Sequence, residues 1–333
     1  MIRLKRWFLI GCAVLAPAVV KGGDYQGNCC AGNISVGADF IYWKPCLNEL
    51  DYALAISGDL GIESQGSYRC LDHGYEPGLR VFAYADDAFC GWGAWGNYTY
   101  FWAKTNETSV LAEGENLLST LATGEFNLGT ASEIRAKHSL RYQTFDALLY
   151  HEYECFGPSQ LLIPYFGISG LKLDQTLASH AISNITPDQF VDLRWDSEYR
   201  GLGLKLGTEY RTALPCNLQW FFSGSFTILA GVDEADYTLE NREEQEAVRF
   251  TIKDRENMCQ PGLHLASGLR YDLHLCGKVL KLHAGYEFLN WWNVPKIRRL
   301  NVSGEDLFLD PSTLSNGSNL TLHGLFAGLE LGF

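Results

Sequence analysis

The sequence predicts an all-β protein built as one antiparallel, up-and-down β-barrel of about ten strands. Ten strand-like segments recur, at about 34–44, 78–85, 92–104, 139–153, 160–174, 195–210, 217–232, 262–275, 279–292 and 320–333. Their connections alternate strictly in length: long at 45–77, 105–138, 175–194, 233–261 and 293–319, short at 86–91, 154–159, 211–216 and 276–278. Several segments run to 13 residues or more, against the ~5–6 of a typical globular strand. Loops sorted by length mark a barrel that crosses a membrane, with short turns on the periplasmic side and long loops outside. In hydrocarbon every backbone N–H and C=O must be paired internally, and a closed ring of strands does this without leaving an edge.

The first element reads as an export signal rather than a strand. Arg3, Lys5 and Arg6 precede an apolar run from Trp7 to Val20, with cleavage plausible after Ala18 or after Gly22. The run is shorter than the roughly 20 apolar residues a spanning helix needs. Leu9-Ile10-Gly11-Cys12 imitates a lipidation box but sits too early in that run. Residues 1–22 are therefore taken as a signal peptide, 23–33 as a periplasmic N-terminal segment and 34–333 as the barrel.

The later strands show the clearest period of two. Over 262–275, Leu263, Leu265, Leu269, Tyr271, Leu273 and Leu275 share one face, opposite His264, Arg270, Asp272 and His274. Over 279–292, Leu280, Leu282, Ala284, Tyr286 and Phe288 oppose Lys281, His283 and Glu287. Leu202, Leu204 and Leu206 oppose Lys205 and Glu209, and the last strand sets Leu325, Ala327, Leu329, Leu331 and Phe333 against Glu330. Aromatics near strand ends (Tyr42, Trp43, Trp92, Trp95, Tyr150, Tyr153, Trp195, Tyr199, Trp220, Trp291 and Trp292) suggest interfacial girdles. Two stretches are ambiguous. The 233–261 stretch reads either as a further hairpin, giving twelve strands, or as extensions of the seventh and eighth strands beyond the membrane. The second is preferred, because Glu243-Glu244-Gln245-Glu246 does not belong in lipid. Val110, Leu111, Leu117, Leu118 and Leu121 have helical spacing and suggest a small loop helix within 108–122.

Charge sets limits on partners. Loss of residues 1–22 removes four basic residues and leaves 22 basic against 39 acidic ones, a net charge of −17. Nine acids lie in 233–261 and six in 45–77, giving an acidic outer rim that would repel nucleic acid. The expected partners are outer membrane lipid and the barrel assembly machinery, for which Phe333 on an alternating last strand resembles the terminal signal.

Three stretches carry a family resemblance: Gly37-Ala-Asp-Phe-Ile-Tyr-Trp-Lys-Pro45, Leu162-Ile-Pro-Tyr-Phe-Gly-Ile-Ser-Gly170, and Gly268-Leu-Arg-Tyr271 with His283-Ala-Gly-Tyr-Glu287 before the closing strand. Together they resemble the Legionella-type pore-forming outer membrane proteins, a family that includes the major-outer-membrane-protein-like porins of environmental chlamydiae. The resemblance implies a Gram-negative outer membrane barrel with passive diffusion of ions or small solutes, and no catalytic residues or cofactor.

Ten cysteines are many for such a barrel. Cys12 leaves with the signal. Cys90, Cys155, Cys216 and Cys276 fall one in each short turn, and Cys29 and Cys30 lie on the same side; Cys46, Cys70 and Cys259 lie at the outer end. An apolar band of ~25 Å separates the groups, while a disulfide needs Cα atoms within ~7 Å. Cys46–Cys70 is a plausible loop closure. The periplasmic cysteines are candidates for cross-links to each other, to a second copy or to other cysteine-rich envelope proteins. No C-x-x-C pairing suggests a metal.

The expected lumen-facing residues are Arg80, Asp146, Lys205, Glu209, Arg270, Asp272, Lys281, His283 and Glu287. Charges in an interior must be paired or wetted: a wet lumen conducts and a fully paired one is a plug. Ten strands leave at most a narrow passage. The alternative to a porin is thus a non-conducting structural or adhesion barrel acting through its acidic loops. Enzymatic activity is not expected. His73 with Asp72, or His180 with Asp188 and Asp192, would imitate an outer-rim protease site, but at no defined motif spacing.

Overall fold

A computed structural model describes residues 34–48, 50–57, 65–89, 91–124, 130–155, 159–186, 188–243, 246–275, 278–295, 300–302 and 318–333. Ten barrel strands run β1 (Ile34–Leu47), β2 (Glu76–Phe89), β3 (Trp92–Val110), β4 (Ala131–Tyr150), β5 (Gln160–Ser183), β6 (Phe190–Leu214), β7 (Leu218–Glu243), β8 (Glu246–Leu275), β9 (Lys278–Val294) and β10 (Ser318–Gly332). Each pairs antiparallel with its sequence neighbour, and β1 pairs with β10 from Ser35↔Gly332 to Leu47↔Leu320. The ring is closed with no free edge.

The strand number is ten, and the twelve-strand alternative falls. The acidic 233–261 stretch belongs to β7 and β8, which stay in register out to Glu243↔Glu246. Much of what reads as long loop is strand of this kind, since β5 and β6 also run on to Ile182↔Phe190. One expectation is overturned. The leucines around 117 sit in a strand, Glu115–Ser119, which pairs with Asp51–Ser57. That strand pairs in turn with Gln65–Cys70. A helix would leave its outer face wet, whereas this three-stranded cap lays Leu117 and Leu121 onto the barrel.

A phase change in the side-chain pattern sets the level of the membrane. On β6, Leu202, Leu204 and Leu206 are more than half exposed on the outer surface, while Lys205 faces in. Nearer the loop end the same strand turns Arg194, Asp196, Glu198 and Arg200 outward. There it buries Leu193, Trp195 and Tyr199 inside. The apolar residues switch from even to odd numbers at Gly201. Neighbouring strands switch at the same height: β5 exposes Phe166 and Ile168 but buries Leu171, Leu173 and Leu177, and β7 exposes Ile228 but buries Tyr237 and Leu239. Below this line the outer surface is the apolar belt of a membrane barrel. Above it the wall is polar outside and apolar inside, as in a soluble protein.

The girdle residues need correction in the same terms. Trp43, Tyr150, Trp195, Tyr199 and Trp291 are buried inside the barrel. The outward aromatic surface comes from Phe40, Tyr42, Tyr98, Tyr100, Trp102 and Trp220. Nearness to a strand end says nothing about which of two faces a residue occupies; parity within the strand does.

The belt assignment makes a direct prediction. Leu204→Arg, at the exposed apolar surface, should cost about 2–4 kcal/mol, whereas Ile185→Arg in the turn after β5 should be near neutral. Urea unfolding of the two variants refolded into lipid bilayers measures the contrast.

Candidate functional site in the lumen

The belt leaves the opposite face of each strand to line an interior, and in the turn half that face is polar. Arg80 on β2 is the centre. Its Nη2 donates to Glu287 Oε2 and Oε1 at 2.8 and 3.0 Å, its Nη1 to Asp39 Oδ2 at 3.2 Å and its Nε to Thr99 Oγ1 at 3.2 Å. Glu287 also accepts from the Trp43 indole at 2.9 Å and lies 2.9 Å from His264 Nε2. His283 Nε2 lies 2.6 Å from Asp39 Oδ1. The guanidinium sits 5.7 Å from the centre of the Trp43 ring. One arginine, two carboxylates and two imidazoles from β1, β2, β8 and β9 thus satisfy each other across the barrel.

A second knot lies across the lumen. Asp146 on β4 accepts from Lys205 Nζ at 2.6 Å, Ser169 Oγ at 2.6 Å and Asn97 Nδ2 at 3.0 Å. Nearest the turns, Glu330 takes both Arg270 at 2.9 Å and Lys281 at 2.7 Å. Arg211 pairs with Glu209 and lies 3.7 Å from Glu152, and Gln219 donates to Asp272 at 3.1 Å. All nine residues expected in the lumen therefore take part in interior networks. Asp39, Asn97, Ser169 and Arg211 join them without having been expected. Asp39 had a readable signal, being an acid on the same face of β1 as Ile41 and Trp43. Asn97 and Ser169 are neutral and carry no sequence sign of a charged partner.

The loop half is closed by apolar packing. Trp43, Phe101, Tyr142, Leu173, Tyr199 and Trp291 meet in one cluster across the barrel. Trp43 lies 5.4 Å from Phe101 and 6.0 Å from Tyr142, and Trp291 donates to Tyr142 Oη at 3.2 Å. Gly262 is the floor on which the Trp291 ring lies; a Cβ there would meet the ring at 2.5 Å. Above it a second cluster joins Leu177, Leu193, Trp195 and Leu239 of the wall to Tyr52, Leu71 and Leu117 of the cap. The cap is tied down by Tyr52 Oη to Ser109 Oγ at 2.8 Å, Thr105 Oγ1 to the Asp72 carbonyl at 2.7 Å and Lys44 to Asp72 at 2.9 Å.

The two rim arrangements expected to imitate a protease site separate. His180 Nδ1 lies 2.6 Å from Asp192 Oδ1 on the polar outer wall. His73 instead turns its Nε2 to His138 Nδ1 at 2.9 Å, with both residues buried under the cap. Among the cysteines, Cys46 is a free thiol 3.6 Å from His323 Nε2, so the Cys46–Cys70 closure is not formed. Cys155 and Cys216 are thiols at the turn end and Cys259 at the loop half; Cys29, Cys30, Cys90 and Cys276 lie outside the described residues. Among the described residues no cluster of three or more His, Cys, Asp or Glu has metal-site geometry.

A closed ten-stranded ring with an apolar outer belt and a polar, paired lumen defines the class: an outer membrane β-barrel. The chain belongs to the family described as the Legionella pneumophila major outer membrane protein precursor, which matches residues 28–333. Among solved structures it is similar to the outer membrane protease OmpT of Escherichia coli (9% identity, 94% of this chain and 99% of that one, TM-score 0.44). It is also similar to a major outer membrane protein from Thermus thermophilus (13% identity, 91% and 100%, TM-score 0.30) and to a Pseudomonas aeruginosa FadL homologue (8% identity, 91% and 90%, TM-score 0.25). No relative was found among curated proteins.

The histidine pair gives a pH prediction for the cap. Burial depresses the His73 pKa from 6.5 to about 4, with the Asp72 carboxylate opposing the shift and Lys44 adding to it. Between those values the unfolded segment binds a proton that the folded one does not. The contribution of His73 is therefore complete above pH 6.5 and is lost as pH falls towards about 4, on the order of 3 kcal/mol in all. Hydrogen exchange of residues 71–75, corrected for intrinsic rates, should show protection falling through that window in the wild type and a flatter profile in His73→Phe.

Proposed function

We propose that this chain is a structural outer membrane barrel closed to solutes. The observation that carries the reading is the apolar plug formed by Trp43, Phe101, Tyr142, Tyr199 and Trp291, with the cap above it. An ion crossing this region would leave water for an apolar medium at a cost of several kcal/mol or more. Directly below the plug, Arg80 is matched by Glu287 and Asp39, and Lys205 by Asp146, which favours a pinned network over a hydrated path. The porin-like reading, passive diffusion of ions or small solutes, is the second one. The charged cavity at the turn end favours it, but it requires the plug to move. Nothing in either reading calls for catalysis. Reconstitution into planar bilayers separates the two: the wild type should give no steady conductance steps, and reproducible steps at neutral pH would replace the closed reading with the porin.

The structural role has a covalent side at the turn end, which in this orientation faces the periplasm. Cys155 and Cys216 are thiols there, and Cys216 holds φ at +67°. A left-handed conformation costs a non-glycine residue roughly 1–2 kcal/mol, so a cysteine stands where glycine would fold more easily. We infer that these turn cysteines cross-link the barrel to a second copy or to another cysteine-rich envelope protein. Non-reducing gels of isolated outer membranes should show high-mass bands that collapse on reduction and weaken in Cys216→Gly, a variant that should itself be more stable. A monomer band unaffected by reductant removes the cross-linking role.

A further inference from the structure

Beneath the plug, the turn end of the lumen holds a cavity of about 260 Å³. It has the room of roughly nine waters at ~30 Å³ each. One wall, formed by the adjacent strands β2 to β5, is aromatic. Tyr84 stacks on Trp95 at 5.4 Å and meets Tyr150 edge-on at 6.1 Å, and Tyr165 meets Trp95 edge-on at 5.6 Å. All four rings line the cavity. The position of Tyr150 is built in, because its ring lies over Gly93, where a Cβ would come within 2.2 Å.

The lining is also acidic. Three cations, Arg211, Arg270 and Lys281, face five carboxylates, Asp86, Glu152, Glu209, Asp272 and Glu330. The pairing consumes all three cations: Arg211 goes to Glu209 and Glu152, and Arg270 and Lys281 both go to Glu330. Asp86 receives only the Tyr150 hydroxyl and Asp272 only the Gln219 amide, so neither has a basic partner among the described residues.

An electron-rich aromatic wall beside carboxylates that lack basic partners is the arrangement that attracts an organic cation, through the rings and by direct charge. We propose that the cavity is a binding site for a small organic cation bearing an ammonium group. The ammonium sits between the aromatic wall and the two carboxylates without basic partners, Asp86 and Asp272. The proposal goes beyond the closed-barrel reading and does not depend on it, because the cavity lies on the turn side of the plug and its lining is the same whether or not the plug moves.

The test uses the full chain refolded in lipid bicelles, titrated with choline and, separately, with its uncharged isostere 3,3-dimethylbutan-1-ol, each at constant ionic strength set with sodium chloride. Calorimetry should show saturable choline binding and at least tenfold weaker binding of the isostere. Trp95→Leu should weaken choline about tenfold, the worth of one cation–π contact. Asp272→Asn, which keeps the shape of the side chain, should weaken it several-fold. His180→Ala, on the far outer wall, should leave the titration unchanged, and heat-modifiable gel mobility confirms folding of each variant. Equal binding of choline and the isostere, no saturable binding to the folded wild type, or unchanged choline binding in Asp272→Asn would each overturn the proposal.

Discussion

A β-strand has two faces, and inside a hydrocarbon layer one of them must be apolar. That constraint decides most of this molecule. Where the strands cross lipid, Leu202, Leu204 and Leu206 must point out, so Lys205 and its neighbours must point in. Charges turned inward then need partners, and the Arg80 and Asp146 networks are the consequence. Beyond the lipid the constraint is lifted, and the ordinary preference of a water-soluble protein returns, with apolar residues inside. The change of phase at Gly201 joins two kinds of protein end to end on one continuous sheet.

The energetics of the two halves differ accordingly. The paired lumen contributes little net stability, because desolvation of the ions offsets most of their attraction. Its importance lies in what any break would leave behind: loss of Glu287 strands His264 and leaves Arg80 with Asp39 as its one carboxylate, and loss of Asp146 strands Lys205. The loop half is stabilised by burial of large rings and leucines, which makes it the seal in the closed reading proposed above. The cap adds to the seal through contacts that include a neutral histidine pair, so its grip depends on pH while that of the plug does not.

Much of this is legible in the chain. The length-sorted connections, the parity of the late strands and the acidic run at 243–246 give the barrel and its strand number. The charged face opposite the leucines gives the lumen residues one by one. The phase change is also present in the sequence, in Val191, Leu193, Trp195 and Tyr199 against Leu202, Leu204 and Leu206. Assigning each strand a single pattern along its whole length hides it. The same assumption sends inward-facing aromatics such as Trp43 and Trp291 to the membrane surface.

The sequence by itself determined the two-fold alternation, the closed antiparallel ring and the identity of the residues inside it, because these follow from the pitch of a strand and the chemistry of lipid. Only the tertiary structure decided which inward residues meet. Arg80 and Glu287 are 207 positions apart, and Trp43 reaches Tyr142 from a strand three places round the ring. Such meetings depend on the stagger and tilt of the closed sheet, which no local pattern encodes. The same stagger turns an interior that reads as a string of charges into an apolar cluster in the loop half with an acidic, aromatic-walled cavity beneath it.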